Sequence, residues 1–179
     1  MKRGLNPANS LWFWGAGTRP MLTSFEEKTG HKGAMISAVD LLKGIAVGAG
    51  MKVIEVEGAN GGLDTNYEGK ADAAVDVLLN GGCDFAYIHL EAPDEMGHQG
   101  SYERKVKAIE NLDKRIIKRV VEKMEAAGED FRMLVLPDHP TPVAIRTHVS
   151  DPVPYMLYDS TDKKNNTWSY NEKDGEASG

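Results

Sequence analysis

Residues 85–136 read FAYIHLEAPDEMGHQGSYERKVKAIENLDKRIIKRVVEKMEAAGEDFRMLVL, and their pattern decides the fold class. Phe85-Ala86-Tyr87-Ile88 is an apolar run of the buried-strand type, and Met133 to Leu136 is another. Between them Val106, Ile109, Leu112, Ile116, Val120 and Met124 recur at three- and four-residue spacing, which writes one apolar stripe along a helix over 101–126. Ser101 stands where an N-cap belongs, and Gly128 where a helix ends. Strand, long helix and strand in that order are the parts of an α/β fold.

The alternation continues outward. A short helix is expected from Ser24, with Glu27 placed to complete a capping box. Residues 33–37 fit a strand, and 38–49 a helix with Val39, Leu42, Ile45 and Ala46 on one face. Met51 to Val56 reads as a strand, Gly58-Ala59-Asn60-Gly61-Gly62 as a loop, and 66–80 as a helix ending at Gly81-Gly82. Apolar, β-prone residues at 10–14 suggest a further strand stopped by Gly15-Ala16-Gly17, and Val153 to Tyr158 suggests the last one. A mostly parallel sheet with helices on both faces follows. The expected division is a domain over 1–158 and a polar tail over 159–179, where Lys163-Lys164-Asn165-Asn166 gives no reason to expect regular structure. No internal repeat is visible.

Composition narrows the function classes. A chain of 179 residues with 41% hydrophobic and 27% charged residues can bury one real core. The net charge of −6, with no cluster of Lys and Arg, argues against a nucleic-acid partner. A small anionic substrate stays open, because bound divalent cations reverse the local sign of an acidic pocket. The single cysteine, Cys83, forms no intrachain disulfide and suits a reducing cytoplasm. No apolar run approaches the ~20 residues of a membrane span, and nothing resembles a signal peptide.

Ligands in open α/β sheets bind beyond the carboxyl ends of the strands. Three His- and Asp-containing segments fall there: Glu91-Ala92-Pro93-Asp94-Glu95-Met96-Gly97-His98, Pro137-Asp138-His139-Pro140-Thr141-Pro142, and Arg146-Thr147-His148 with Asp151-Pro152-Val153-Pro154 after it. Imidazole and carboxylate together suit zinc or manganese, and two such ions can clamp a phosphoryl group. Singly, each segment reads better as a solvated loop, a turn or a surface histidine than as a ligand set; placed together at successive strand ends, they favour metal. Gly15-Ala16-Gly17 runs into Thr18-Arg19-Pro20 and is no dinucleotide loop, while Gly58 to Gly62 lacks the Gly-Lys-Ser/Thr of a phosphate loop. Cys83 reads as a small core or loop residue. His89 reads as a packed strand histidine, with supporting a ligand as the lesser option, and His31 is undecided. Trp12 and Trp14 read as packing residues, and Trp168 belongs to no cofactor pattern.

Glu-Ala-Pro-Asp-Glu-Met-Gly-His (91–98), Pro-Asp-His-Pro-Thr-Pro (137–142), Arg-Thr-His (146–148) and Asp-Pro-Val-Pro (151–154) together resemble the archaeal-type, 2,3-bisphosphoglycerate-independent phosphoglycerate mutases of the alkaline phosphatase superfamily. The resemblance extends upstream through Gly58 to Tyr67 and the helix at Lys43-Gly44-Ile45-Ala46, and covers most of 10–158. It implies two divalent ions, manganese, zinc or magnesium. Asp94, His98 and His148 would ligate one ion, and Asp138 and His139 the other. It implies a phosphoglycerate substrate and a phosphoenzyme formed on a Ser or Thr from an upstream segment, with a substrate-closing domain inserted between. By this resemblance the chain is a fragment without its nucleophile, holding one ion or none. Lys28 sits near a phosphate-contacting lysine of the family, and reads equally as a solvated helix lysine. Another metal-dependent phosphotransferase or phosphomonoesterase on the same core, such as a homoserine-kinase-like enzyme, is the runner-up; a non-catalytic folding or interaction unit is the third reading.

Overall fold

The computed structural model describes residues 9–13, 15–18, 20–162 and 167–178. Trp14 and the Lys163 to Asn166 run lie outside them. The chain order is α1 (Phe25–Thr29), β1 (Gly33–Ile36), α2 (Asp40–Gly48), β2 (Lys52–Val53), α3 (Tyr67–Leu79), β3 (Phe85–Ile88) and α4 (Ala92–His98). It continues with α5 (Tyr102–Leu112), a π-helical turn (Asp113–Ile117), α6 (Lys118–Ala127), β4 (Arg132–Val135), β5 (Met156–Asp159) and α7 (Glu172–Ala177).

Strands β2, β1 and β3 form a parallel sheet in that order, with Ala34 opposite Lys52 and Ile36 opposite Ile88. The central strand β1 is buried along its whole length. At the edge, β3 alternates, with Phe85 and Tyr87 exposed, so it departs from the fully buried strand its composition suggests. Its position explains this, because an edge strand packs on fewer neighbours than a central one. The other two strands pair antiparallel as a separate ladder, Leu134 opposite Leu157, rather than extending the parallel sheet. Residues 51–56 form a strand only at Lys52–Val53.

Local signals explain most helices. Ser24 accepts from the Glu27 amide at the start of α1, and Asn66 from the Gly69 amide at the start of α3. The long helix runs from Tyr102 to Ala127 and ends on Gly128 at φ 73°. Ser101 holds the N-cap position with extended backbone, although its hydroxyl makes no capping bond. The π turn is not legible in the spacing. Residues 108, 112, 116, 120 and 124 step by four, which overshoots a 3.6-residue turn by roughly 40° per step. The wider π turn takes up part of that drift, so Ala108, Ile116, Val120 and Met124 all reach the core while Ile109 is half exposed.

These residues pack with Tyr67, Ala71 and Val75 of α3 and with Ala92 and Met96 of α4. Around this core Arg115 grips Glu68 through two bonds of 2.6 and 2.7 Å, and Arg119 grips Asp72 through two of 2.7 and 2.8 Å. Lys123 adds a contact to Asp72 at 2.8 Å. The helix α4 is thereby seated on a braced pair of helices.

Two stretches differ from the sequence reading. Residues 10–13 form no strand, and Trp12 is 89% exposed. β-propensity alone makes no strand where no neighbouring edge offers hydrogen bonds. Beyond residue 158, Ser160 continues the β4–β5 pairing through both its amide and its hydroxyl to Phe131, and Asn171 caps α7. Among the described residues, no helix is long and apolar enough to cross a membrane.

The Asp72 cluster gives a pH test. Its hydrogen bond to Arg119, assisted by Lys123, holds the carboxyl at about 2 rather than its ordinary value. The folded-state value is the lower one. The stabilisation is therefore complete above about pH 4, and is lost as pH falls through about 2. The partners are partly exposed, which limits it to about 1 kcal/mol. Asp72→Asn is expected to lower the urea midpoint at pH 6, with the difference closing towards about pH 2.

Candidate metal centre

Beyond Ile88 the chain stays hydrogen-bonded to β1 for one more residue, the His89 amide donating to the Ile36 carbonyl. It then turns into α4. Pro93 occupies the first turn of that helix, where a missing N–H leaves nothing unsatisfied. Asp94 and His98 are four residues apart and so share one face of α4. A second loop leaves β4 through Pro137, Asp138 and His139. Ile145 and Arg146 fold back to donate to the Pro142 carbonyl, and the Val149 amide returns to the Pro140 carbonyl at 3.1 Å. This return brings His148 against α4.

The two elements meet at four atoms. Nε2 of His98 lies 3.1 Å from Nε2 of His148. Asp94 Oδ2 is 3.3 Å from the first of these nitrogens, and Asp94 Oδ1 is 3.3 Å from the second. With bonds of about 2.0–2.2 Å, atoms coordinating one zinc tetrahedrally stand about 3.3–3.6 Å apart. The three residues therefore match a shared ion in donor type, with the two carboxylate distances at the tetrahedral spacing and the imidazole pair about 0.2 Å short of it. Nδ1 of His98 donates to the Arg146 carbonyl at 3.0 Å, which leaves Nε2 of the neutral ring with its lone pair. Two ring nitrogens so close need a proton or a cation between them.

Asp138 and His139 stand beside this cluster. The His139 ring lies 3.7 Å from that of His148, centre to centre. Its Nε2 is 3.2 Å from Asp138 Oδ2, so the pair offers two ligand groups facing each other. Lys28 is placed elsewhere. It is exposed in the last turn of α1, and Phe25 of that helix stacks on Phe85 and abuts Gly33 at the amino ends of β3 and β1. The cluster lies beyond the opposite, carboxyl ends.

Several supporting residues are not singled out by the sequence reading, although Arg146 and Thr141 lie within the His- and Asp-containing segments. Arg146 has φ 60°, a left-handed backbone that costs a side-chain-bearing residue about 1–2 kcal/mol, and its carbonyl is the one His98 uses. Gly100, itself at φ 68°, leaves room for the Arg146 guanidinium. Thr141 is 2% exposed; its hydroxyl donates to Asp94 Oδ1 and lies 3.4 Å from His139 Nδ1. Lys105 donates to the Thr141 carbonyl at 2.6 Å. Burial pushes the Lys105 ammonium below the ordinary lysine value, with Asp94 and Glu172 pulling it back. A glycine inside α4 was the one available signal, since Gly97 lets the Thr141 carbonyl approach the helix.

The remaining histidines are not in the cluster. His89 is largely buried, with Nδ1 3.3 Å from Ser37 Oγ and 3.5 Å from Glu91 Oε1. His31 is exposed, 3.9 Å from Asp84. Cys83 is buried with Ala34 and Val77.

Comparison with known proteins places residues 2–177 in a match to the Metalloenzyme superfamily. A 2,3-bisphosphoglycerate-independent phosphoglycerate mutase of Methanosarcina acetivorans is 54% identical over 158 residues, which are 88% of this chain and 39% of that protein. A probable enzyme of the same name from Geobacter sulfurreducens is 47% identical, covering 100% of this chain and 44% of its own length. The solved structure of the PH0037 protein from Pyrococcus horikoshii superposes with a TM-score of 0.74 at 29% identity, over 87% of this chain and 39% of that one. The chain thus spans about two fifths of the length of these relatives.

Glycine substitutions test the packing of α4. A Cβ on Gly97 would overlap the Thr141 carbonyl oxygen, whereas one on Gly44 in α2 meets nothing within 4 Å. Gly97→Ala is expected to destabilise by about 1–3 kcal/mol through overpacking. Gly44→Ala is expected to stabilise by about 0.5–1 kcal/mol, as alanine does in a helix. Urea midpoints shifted in opposite directions are the expected result.

Proposed function

The chain belongs to the metalloenzyme superfamily, and from that premise we propose that it forms the ion-binding part of a cofactor-independent phosphoglycerate mutase. Such an isomerase moves a phosphoryl group between 2- and 3-phosphoglycerate. The observation that carries this reading is the convergence of Asp94, His98 and His148, whose ligand atoms lie within 4.8 Å of one another. The names of the relatives in Methanosarcina acetivorans and Geobacter sulfurreducens support the choice of reaction and of a small phosphorylated substrate.

In this reading Asp94, His98 and His148 hold one divalent ion, and Asp138 with His139 offers two ligands to a second. Imidazole with carboxylate suits zinc or manganese before magnesium. Ions bound there supply positive charge against the oxygens of a transferring phosphoryl group. The protein's own residues orient and hold. His98 presents Nε2 because its other nitrogen is committed to the Arg146 carbonyl. Asp94 turns one carboxylate oxygen towards each imidazole. None of the five is the nucleophile, and that group is assigned to the part of the relatives' length that these residues do not match. The cytoplasm is the proposed setting, supported by a lone, buried cysteine that needs no oxidising compartment.

Two measurements test the reading. Calorimetric titration of the chain with zinc at about pH 7.5, where free imidazole is neutral, is expected to show one tighter event. His148→Ala should abolish it, and His139→Ala should leave it nearly intact; the reverse pattern contradicts the assignment of the two ligand sets. In a coupled assay with manganese, the 179-residue chain is expected to turn over 3-phosphoglycerate at background. Turnover abolished by His98→Ala would place the nucleophile within these residues.

A further inference from the structure

We propose that Thr141 is a positioning residue that orients one ligand of each ion, with Lys105 holding it in place, so that the two ligand sets share a single hydroxyl. The inference rests on reading Asp94, His98 and His148 as ligands, and it adds two residues that belong to neither set.

Thr141 is 2% exposed, so its hydroxyl is shut away from any substrate and cannot act as a nucleophile. It touches both sets. The hydroxyl proton goes to Asp94 Oδ1, and the hydroxyl oxygen lies 3.4 Å from His139 Nδ1. A hydroxyl has one proton to give and lone pairs to receive with. Once it donates to Asp94, its role towards His139 is that of acceptor, so His139 carries its proton on Nδ1. Nε2 of His139, the nitrogen facing Asp138 at 3.2 Å, then keeps the lone pair that a metal needs. The same contact fixes the plane of the Asp94 carboxylate, whose two oxygens face His148 and His98.

The main chain of Thr141 is held as firmly. Its carbonyl accepts from Lys105 Nζ at 2.6 Å, and both groups close over Gly97, where a Cβ would meet the Lys105 nitrogen at 3.1 Å and the Thr141 methyl at 3.0 Å. Lys105 thus ties the loop after β4 to α5 and closes over Gly97 of α4, the helix that carries Asp94 and His98. That tie adds to the contacts His148 makes with both Asp94 and His139, and it holds the backbone from which the Thr141 hydroxyl reaches both.

Thr141→Val keeps the shape and deletes the hydroxyl, leaving Asp94 Oδ1 without its donor and His139 Nδ1 without its acceptor. The variant is expected to bind zinc about 10–100-fold more weakly, the usual loss when a ligand's hydrogen-bond partner is removed. Thr141→Ser, which retains the hydroxyl, should bind close to wild type. With cobalt as the probe, Thr141→Val should also shift the visible ligand-field bands, and Thr141→Ser should restore them; a role confined to folding would leave the bands of the folded fraction unchanged. Should Thr141→Val fail to fold, Lys105→Met on α5 carries the test, with an expected loss of zinc affinity in a protein of unchanged helical content. Zinc binding that depends on His148 but is the same in wild type, Thr141→Val and Lys105→Met would overturn this proposal and leave the ligand assignment standing. No zinc binding by the wild-type chain would overturn both.

Discussion

The hydrogen bond from His98 Nδ1 to the Arg146 carbonyl joins the end of α4 to a loop 48 positions away in sequence, and the rest of the site depends on it. It selects which imidazole nitrogen faces the cluster. Its acceptor residue, Arg146, has a left-handed backbone that a residue with a side chain otherwise avoids, with its amide bonded to the Pro142 carbonyl as well. Because Arg146 is held there, the chain can reverse within a few residues and return His148 to the face of α4. Gly100 beneath the guanidinium and Gly97 beneath the Thr141 carbonyl supply the room for this close docking. Together with the Val149 amide's return to the Pro140 carbonyl, that bond sets the loop where the three donors share one point.

Such docking needs a rigid partner, and the scaffold provides it. Two short-range features seat α4: the apolar contacts of Ala92 and Met96, and the ion pairs that bind α3 to the long helix. The ion pairs are partly exposed, so they set direction more than they add stability. Burial does the larger part, with Tyr67, Ile116, Val120 and Met124 closing the core beneath α4. The parallel sheet contributes differently, since its central strand fixes where the β3 chain emerges and so where α4 begins.

Much of this is legible in the amino acids. The caps at Ser24 and Gly128 announce themselves, because each uses chemistry confined to neighbouring residues. Asp94 and His98 are legible as candidate ligands beyond a strand end, although the sequence reading leaves them in a loop and only the structure shows the helix α4 that sets them on one face. What escapes the sequence is what depends on distant partners. The apolar residues at 10–13 look like a strand, yet no described edge pairs with them, and the antiparallel pairing of β4 with β5 follows from chain direction, which local pattern does not encode. The π turn is hidden because its residues are ordinary helix formers. Thr141 lies within the Pro137 to Pro142 segment, but its part is not legible there, because it comes from being buried between Asp94 and His139, 47 and 2 positions away.

The central claim is that Asp94, His98 and His148 hold one ion. X-ray absorption at the zinc edge, on the chain loaded with one equivalent, tests it most directly. The account predicts two imidazole nitrogens and one carboxylate oxygen at about 2.0–2.2 Å, with water completing a four-coordinate shell, and loss of the imidazole scattering when His98 and His148 are both replaced by alanine. A shell of oxygens alone, a sulfur from Cys83, or a spectrum unchanged by the double substitution would contradict it.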